Sequence, residues 1–477
     1  MNNDVIKYFR EISEIPRGSG NEKNISDYFV AFAKEHNFNF IRDDELNVII
    51  RKKASPGYEG RPAVVLQGHM DMVCEKKSDK EHDFTKDPIS LRIDGDMIYA
   101  EGTTLGADDG IGIALGLAIM AADGISHPSL ELLLTTDEER GMKGAANLDP
   151  GNIQGRILIN IDSDQEGKFF VSCAGGPVIK TVIPLLWEKA DKNMSRHAIR
   201  IRGLLGGHSG SDIDKGRGNA NKLIGRILKE MEGEFDYRIA SLNGGLMYNA
   251  IPREACAVIM IRPENKIEMS LKISELQKTI RSEFRASDPD IEVKFEEAAE
   301  EIADVFSPWA AAAVINYLYL AENGINTMSM DIPGLVESSV SLGVVRTEED
   351  AVEFKALIRS SVKSIYADMQ RRIENLAEIT GGDAAVLVNC PLWQYNPDSK
   401  IQKVFGKVYR SLYGKEPAIQ SIHVGLECGI FDEKFNGAMD MISYGPDVFD
   451  YHTPDEHFSI SSAERSYEFL LEVLKEI

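Results

Sequence analysis

Histidine and acidic side chains recur at the ends of apolar segments, where they could bind metal ions. The stretch LQGHMDMV, residues 66–73, places His69 and Asp71 two positions apart after an apolar run. Alternate strand residues point to the same side, and an acid beside an imidazole can fix its tautomer. This spacing is typical of a metal ligand with a supporting carboxylate. Taken alone, it also suits a histidine in an ordinary hydrogen bond.

Further acids occupy comparable positions along the chain. GADDG places Asp108 directly before a long apolar helix, and INIDSD places Asp162 after a strand. LLLTTDEERG contains the adjacent residues Glu138 and Glu139, and YHTPDEH contains His452 near the C-terminal end of the sequence. Each has a simpler interpretation by itself, as a helix N-cap for Asp108 and as a residue of a solvated loop for the others.

Together these four carboxylates and two histidines predict a shared site. Ligands of open α/β sheets collect outside the carboxyl ends of the strands, which is where these residues would lie. Carboxylate oxygens with imidazole nitrogens suit zinc or a related divalent ion, and catalytic zinc sites commonly keep an open position. Two such sites that share one acid need five ligands.

The elements that would position these residues alternate between strand and helix. Over residues 1–177, short apolar strands such as AVVLQG, LELLLTT and RILINID accompany the helical segment GIGIALGLAIMAADG. This alternation is typical of an α/β layered domain.

The pattern changes over residues 178–388, which we predict to be an inserted domain. From HAIRIRGL to IEVKFEE, the order strand, helix, strand, strand, helix, strand predicts a ferredoxin-like sandwich. A second set of helix, strand, strand, helix and strand follows it. Residues 389–477 resume the earlier signals and predict a return to the first domain.

Composition argues against several partners and locations. A chain of 477 residues exceeds what one hydrophobic core usually supports, so at least two domains are expected. A net charge of -23 argues against nucleic acid and anionic membranes as partners. The N-terminal segment lacks the apolar core of a signal peptide, and the apolar runs are too short to span a membrane. With five scattered cysteines and no CxxC pair, the chain is predicted to be cytoplasmic.

The motifs resemble those of a known enzyme family. The co-catalytic zinc peptidases, which include aminoacylases and carboxypeptidases, have motifs similar to HMD at His69, GADDG at Asp108, the pair Glu138 and Glu139, Asp162, and HTPDE at His452. Within them, IPRGSGNE, LGADDGIG, GGHSG and IHVGLECGIF resemble the aminoacyl-histidine dipeptidases, which hydrolyse Xaa-His dipeptides such as β-alanyl-histidine. The resemblance implies an α/β catalytic domain with a mixed sheet and an inserted α+β, ferredoxin-like lid domain.

The resemblance also implies two divalent metal ions per chain, with zinc as the first expectation and cobalt or manganese as alternatives. Asp108 would bridge the two ions. His69 and Asp162 would complete one metal site, and Glu139 and His452 would complete the other.

Two further acids have implied roles in catalysis. Asp71 would orient the neighbouring ligand His69. Glu138 would be the general base for a metal-bridging hydroxide that attacks the peptide carbon, and would pass the proton to the departing amine.

The inserted domain would supply the residues that hold the substrate. The resemblance makes His208 in GGHSG a lid residue that stabilises the tetrahedral oxyanion. Asn249 and Arg359 would hold the substrate carboxylate, and Gly425 would let the backbone approach it. Without the resemblance, His208 would cap a turn and Arg359 would be a charge on a solvated helix.

A small peptide as substrate and a homodimer as the assembled form complete the expectation, with His208 acting in its own or in the partner's site. An aminotripeptidase or broader exopeptidase on the same scaffold is the rival enzyme. Such enzymes carry Lys after the Asp-Asp pair, where this chain has Gly110. A binding protein without catalysis is the rival from another class, and the intact metal and base positions argue against it.

Overall fold

The computed structural model describes residues 3–299 and 301–477. The chain forms two units. Unit 1 consists of Met1–Cys173, Trp393–Ile422 and Leu426–Ile477, and unit 2 consists of Ala174–Leu392 and His423–Gly425.

The first part of unit 1 alternates strands and helices. Its strands are β1 Asn39–Arg42, β2 Val48–Lys52, β3 Val64–His69, β4 Leu91–Asp94, β5 Met97–Ala100, β6 Leu130–Thr135, β7 Ile157–Asn160 and β8 Lys168–Cys173. Its helices are α1 Asn3–Ser13, α2 Lys23–Glu35, α3 Ala107–Ala121, α4 Glu138–Gly141 and α5 Lys143–Asn147.

Unit 2 is richer in strands. Its strands are β9 Gly176–Pro184, β10 Trp187–Lys189, β11 Ser195–Arg202, β12 Gly207–His208, β13 Tyr237–Gly244, β14 Ala250–Ile251, β15 Ala255–Ile261, β16 Glu292–Glu297, β17 Asp304–Phe306, β18 Gly324–Met328, β19 Val336–Thr347, β20 Ala351–Ser360 and β21 Asp383–Cys390. Its helices are α6 Ala220–Met231, α7 Lys266–Glu283, α8 Pro308–Leu320 and α9 Lys363–Ile379. The predicted insertion, residues 178–388, begins inside β9 and ends inside β21.

The last part of the chain returns to unit 1. It forms the strands β22 Ala418–Ile422, β23 Asp440–Ser443, β24 Val448–Phe449 and β25 His457–Ser459, and the helices α10 Lys400–Tyr413, α11 Glu427–Lys434 and α12 Ile460–Glu476.

The main sheet of unit 1 has eight strands in the order β1-β2-β6-β3-β7-β23-β8-β22. The four central strands β6, β3, β7 and β23 are parallel to their neighbours in that group. Their near-continuous apolar sequences are typical of parallel strands that are covered on both faces. Alternate residues serve two cores, since Val64 and Leu66 pack in one cluster and Val65 packs in the other. The carboxyl ends of these strands therefore meet at one edge of the sheet.

The nine-stranded sheet of unit 2 is antiparallel and has the order β16-β11-β15-β13-β19-β20-β9-β21, with β18 beside β19. Strands β11, β13, β15 and β16 with helices α6 and α7 form the predicted ferredoxin-like arrangement. Strands β19, β20 and β21 with helices α8 and α9 form the predicted second set.

The second set in unit 2 contains a strand that the sequence pattern had not assigned to it. Its remaining strand is β9, which lies between β20 and β21 although it precedes the whole first set along the chain. The first set is thus inserted into the second between β9 and α8. The two sets join through the pairing of β13 with β19.

Candidate functional site

The strand ends of unit 1 place the predicted metal ligands close together. His69 is the last residue of β3, and Asp162 follows the end of β7 by two residues. Glu138 and Glu139 begin α4, shortly after β6 ends. Because β3 lies between β6 and β7 and runs parallel to both, the three chain segments leave the sheet at the same edge.

Asp108 lies between two groups of ligands. His69 Nε2 is 3.0 Å from Asp108 Oδ1, and His452 Nε2 is 3.2 Å from Asp108 Oδ2. His69 Nε2 is also 3.6 Å from Asp162 Oδ1, and His452 Nε2 is 2.9 Å from Glu139 Oε1. Each group therefore offers two carboxylates and one imidazole, with ligand atoms within 4.8 Å of one another, and Asp108 belongs to both.

This donor set fits two divalent cations. Three protein ligands with an open position are common in catalytic zinc sites, and oxygen and imidazole donors suit zinc, cobalt and manganese. The acids also give the site an excess of negative charge. Hydrogen bonds that Asp108 and Glu139 accept from the His452 ring raise the pKa of His452 to about 10, so the carboxylates favour a cation at this position.

Asp71 supports the ligands through several hydrogen bonds. Its Oδ1 is 3.5 Å from His69 Nδ1, and its carboxylate accepts hydrogen bonds from the backbone N–H groups of Glu138 and Glu139 at 3.0 and 3.3 Å. The Ser19 hydroxyl donates a further bond at 2.8 Å. Burial opposes ionisation, but His69 and these donors hold the pKa of Asp71 at about 2. Asp71 is therefore an anion that orients one ligand and the start of α4.

Glu138 has the environment of a proton acceptor with a raised pKa. Burial raises the pKa of its carboxyl well above the ordinary range, and the nearby acids Asp162 and Glu427 act in the same direction. A carboxyl with a raised pKa is better matched to accepting and returning a proton near neutral pH.

The backbone around Asp108 is held by two residues that sequence reasoning had not assigned. The Glu456 carboxylate accepts hydrogen bonds from four consecutive N–H groups, those of residues 105–108, at 2.7 to 3.2 Å. Arg17 is buried and donates to the carbonyl oxygens of Met70, Asp71 and Gly106. The motif HTPDE already contained Glu456 as its last residue. Arg17 likewise lies within the motif IPRGSGNE.

The simpler interpretations of the acids do not hold in unit 1. Gly106, not Asp108, is the N-cap of α3, and the backbone of Asp108 is not helical. The side chains of Glu139 and Asp162 are 8% and 13% exposed, so neither is a solvated loop residue.

Unit 2 contains a different group of polar residues, which we call the arginine cluster: His208, Ser339, Arg359 and His423. His208 Nδ1 accepts hydrogen bonds from the N–H groups of Gly210 and Ser211 at 3.2 and 3.1 Å, which places the proton of the neutral ring on Nε2. The expected turn-capping role thus accounts for Nδ1 only. Nε2 lies 3.4 Å from Arg359 Nη2, so two donors point to the same place.

Arg359 is a largely buried cation, and the part of the chain that the structure describes pairs no acid with it. It lies in β20, so the alternative interpretation as a charge on a solvated helix is wrong. Burial lowers the pKa of its guanidinium, and the groups that favour its charge are Cys390 and Tyr248 rather than a carboxylate. Within residues 3–299 and 301–477, no hydrogen-bond partner faces its buried Nε. A desolvated and uncompensated cation favours the binding of an anion.

The remaining predicted residues of unit 2 lie beside this cluster or share its unit. The carbonyl of Asn249 accepts a hydrogen bond from the N–H of Ser209, next to His208. Gly425 belongs to the segment His423–Gly425, which groups with unit 2. His423 Nε2 is 2.7 Å from the hydroxyl of Ser339, and Ser339 pairs with Arg359 across β19 and β20. Sequence reasoning had not assigned His423 or Ser339.

Comparison with known proteins identifies the family. Residues 65–476 match peptidase family M20/M25/M40. The chain belongs to this family. The M20 peptidase is 38% identical to the cytosol non-specific dipeptidase of Escherichia coli strain K12, over 98% of this chain and 96% of the relative.

Solved structures agree with this assignment. The aminoacylhistidine dipeptidase from Vibrio alginolyticus matches with a TM-score of 0.93 and 39% identity, over 99% of this chain and 96% of that one. Aminopeptidase PepT from Bacillus cereus shares the fold, with a TM-score of 0.56 and 16% identity over 100% of this chain and 98% of that one.

These comparisons confirm the predicted family, the α/β fold class and the class of enzyme, a metallopeptidase with dipeptidase relatives. Among the described residues of the M20 peptidase, no helix has the length and apolar character that a membrane span needs.

Proposed function

We propose that the M20 peptidase cleaves dipeptides that have a free C-terminal carboxylate, and that Xaa-His dipeptides such as β-alanyl-histidine are its substrate class. The observation that carries the proposal is the position of Asp108, whose two carboxylate oxygens face two histidines in two separate ligand groups. This arrangement suits a pair of ions that share one ligand.

The proposal divides the ligands between the two ions as the family resemblance implies. His69, Asp108 and Asp162 would hold one divalent ion, and Asp108, Glu139 and His452 would hold the other. When bound, the ions supply a Lewis acid that polarises the peptide carbonyl and makes water more acidic; zinc is the first expectation, with cobalt or manganese as alternatives.

Glu138 would accept the proton of the attacking water and return it to the departing amine. General acid–base transfer of this kind contributes roughly a hundred- to ten-thousand-fold to the rate. Asp71 contributes by holding the backbone N–H of Glu138 and the ring of His69.

Unit 2 would recognise the charged parts of the substrate, which is the role of an inserted lid domain. Arg359 would pair with the C-terminal carboxylate, assisted by Asn249 and by the backbone at Gly425. His208 would donate from Nε2 to the oxyanion, since hydrogen bonds to its Nδ1 leave the proton at that nitrogen. Burial and the charge of Arg359 lower the pKa of His208, so the ring is a neutral donor at neutral pH.

A broader dipeptidase is the second candidate. The E. coli relative is named a cytosol non-specific dipeptidase, which favours a wider range of dipeptides and a cytosolic location. We propose the same location for this enzyme, with a homodimer as its assembled form. An aminotripeptidase is less well supported, because the matching tripeptidase from Staphylococcus aureus is 16% identical and shows a shared fold alone.

The test is a kinetic comparison of peptides with the purified, metal-loaded enzyme. The peptides are β-alanyl-histidine, other Xaa-His dipeptides, dipeptides without histidine, and a tripeptide. We expect kcat/KM for Xaa-His to exceed that for the other dipeptides by about ten-fold or more, the usual reach of a side-chain pocket. Equal values would establish the broader dipeptidase, and preference for the tripeptide would establish the aminotripeptidase. Failure to cleave any peptide would reject the enzyme proposal.

A further inference from the structure

A connected set of buried polar side chains crosses the parallel strands of unit 1, and we call it the buried polar layer: Gln67, Thr135, Asn160, Glu427 and Ser443. Gln67 Nε2 and the Thr135 hydroxyl donate to Glu427 Oε2 at 2.5 and 2.9 Å. Asn160 Nδ2 donates to Gln67 Oε1 at 2.8 Å, and the Ser443 hydroxyl donates to Asn160 Oδ1 at 2.6 Å. Each of the five residues is at most 1% exposed.

The buried polar layer is adjacent in sequence and register to the proposed metal ligands. Gln67 precedes His69 by two residues on β3, so their side chains lie on the same side of the sheet. Asn160 precedes Asp162 by two residues, and Thr135 pairs with His69 across β6 and β3. The layer therefore connects the strand ends from which the ligands project.

Glu427 is the acidic member of this layer, and no Lys or Arg side chain among the described residues is bonded to it. Its Oε2 accepts the two hydrogen bonds from neutral donors, whereas Oε1 is buried and has no hydrogen-bond partner in the described chain. Burial raises the pKa of Glu427 to about 7, and His69 is the positive group that opposes this effect. A glutamine could accept the same two bonds, so hydrogen bonding alone does not explain a buried acid.

We infer that Glu427 is a positioning residue of the metal centre, which strengthens metal binding through its negative charge and through the bonds that hold β3 and β6 together. The inference rests on the proposed function, because it requires a divalent ion at the group that contains His69. That ion would supply the positive charge that the buried carboxylate lacks. Binding of the ion and ionisation of Glu427 then stabilise each other.

The test measures metal affinity rather than activity. Glu427→Gln keeps the size of the side chain and an acceptor oxygen but removes the charge. We expect the affinity for zinc and cobalt, measured by competition with a chelating dye, to fall by about 10- to 100-fold, the usual effect of losing a carboxylate that supports a ligand. The visible absorption spectrum of the cobalt-loaded variant should change, and Glu427→Asp, which keeps the charge, should recover part of the affinity.

Glu131→Gln is the matched control. Glu131 is also a buried glutamate of unit 1 that accepts several hydrogen bonds, from Arg51 and from the N–H groups of Gln154 and Gly155. It lies on β6 four residues before Thr135, about 13 Å along the strand. We expect this variant to lose stability and to keep its metal affinity and cobalt spectrum.

The outcomes separate the inference from the proposed function. If the wild type binds two ions and Glu427→Gln binds them equally well, the inference is overturned while the proposed function stands. If the wild type binds no divalent ion, both are overturned. Should Glu427→Gln fail to fold, Thr135→Val removes one neutral bond from the same carboxylate and must lower the cobalt affinity by a few-fold. Unchanged affinity in that variant would also overturn the inference.

Discussion

The metal centre of unit 1 and the arginine cluster of unit 2 have opposite imbalances of charge. Unit 1 gathers the carboxylates of Asp108, Asp162 and Glu139 around two histidines. Unit 2 buries the Arg359 guanidinium beside two imidazoles, and no acid forms an ion pair with it in the described chain. An excess of buried charge is unfavourable without compensation, so each region has the character of a site for a ligand of the opposite sign. We therefore propose that cations bind to unit 1 and that an anion binds to unit 2.

The two regions also differ in how the fold positions them. In unit 1 three of the ligands, His69, Glu139 and Asp162, follow parallel strands. Backbone N–H groups bonded to Asp71 and Glu456 fix the adjoining loops. In unit 2 the cluster combines a strand pair with a loop and with the short segment that contains His423. Both arrangements bring together residues that are far apart in sequence, but only the first uses several strand ends at one edge of a parallel group.

Removal of metal should produce the largest effect, because it eliminates the cations that balance unit 1. Exhaustive chelation is expected to abolish dipeptidase activity, and zinc, cobalt or manganese should restore it. The measurement is the hydrolysis rate alongside metal content per chain. Full turnover by protein that contains no metal would break the assignment of cations to unit 1.

Substitutions of the adjacent acids Glu138 and Glu139 should impair the enzyme in different ways. Glu138→Gln removes the proton acceptor and should lower kcat by about 100-fold or more while both ions remain bound. Glu139→Ala removes a ligand, so it should lower the occupancy of one metal, and excess zinc should recover part of its activity. Metal content and steady-state kinetics with and without zinc separate the cases. Loss of metal in Glu138→Gln and retention in Glu139→Ala would mean that the two roles are reversed.

The variant Arg359→Met tests whether unit 2 binds the C-terminal carboxylate of the substrate. Loss of the guanidinium should lower kcat/KM for a dipeptide by about 30-fold or more, equivalent to at least ~2 kcal/mol, with unchanged metal content. Amidation of the C-terminal carboxylate should lower the wild-type value by a similar factor.

Cleavage of the amidated and the free dipeptide is then compared between the wild type and Arg359→Met. They should be cleaved at nearly equal rates by Arg359→Met, because the variant has lost the group that distinguishes them. If amidation is equally harmful in the variant and in the wild type, the carboxylate binds elsewhere and the arginine cluster has another role.

Sequence reasoning was most effective for residues that lie next to segments with a regular pattern of apolar residues. The apolar runs that end at His69 and Thr135 predicted the central strands, and the polar residues near their ends predicted ligand positions, which the structure brings close together. The two strand and helix sets of unit 2 were also visible as local patterns. Such patterns carry the information because alternation, apolar run length and turn residues are local properties of the chain.

The rest depends on contacts that are distant in sequence. Glu456 accepts hydrogen bonds from the N–H groups at residues 105–108, and His423 contacts Ser339. Both residues lie in motifs of the family resemblance, HTPDE and IHVGLECGIF, but their own segments do not indicate these distant partners. The place of β9 within the second set is likewise set by pairing with β20 and β21. Arg359 was assigned through the family resemblance alone, because its charge suggested exposure on a solvated helix, although it lies in a strand of the predicted second set.

The smallest expected effect concerns His423, which should remain neutral so that the arginine cluster carries a single positive charge. Burial, followed by the charge of Arg359, lowers the pKa of His423 to about 3, whereas the unfolded chain has a value near 6.5. Between these values the unfolded state binds a proton that the native state does not bind. The free energy of unfolding should therefore decrease as pH falls from about 6.5 towards 3, by up to about 1.4 kcal/mol per pH unit from this residue.

His423→Gln tests this contribution, because glutamine keeps a hydrogen-bonding group for Ser339 and does not titrate. Between pH 6.5 and 4.5 the free energy of unfolding of the wild type should decrease by about 2 kcal/mol more than that of the variant. Thermal or urea unfolding of both proteins, metal-loaded and in the same buffers, gives this difference directly. The metal centre titrates equally in the two proteins and cancels from the comparison. Parallel stability curves would mean that His423 accepts a proton in the native state, and unit 2 would then gain positive charge at low pH and bind an anionic substrate group more strongly there.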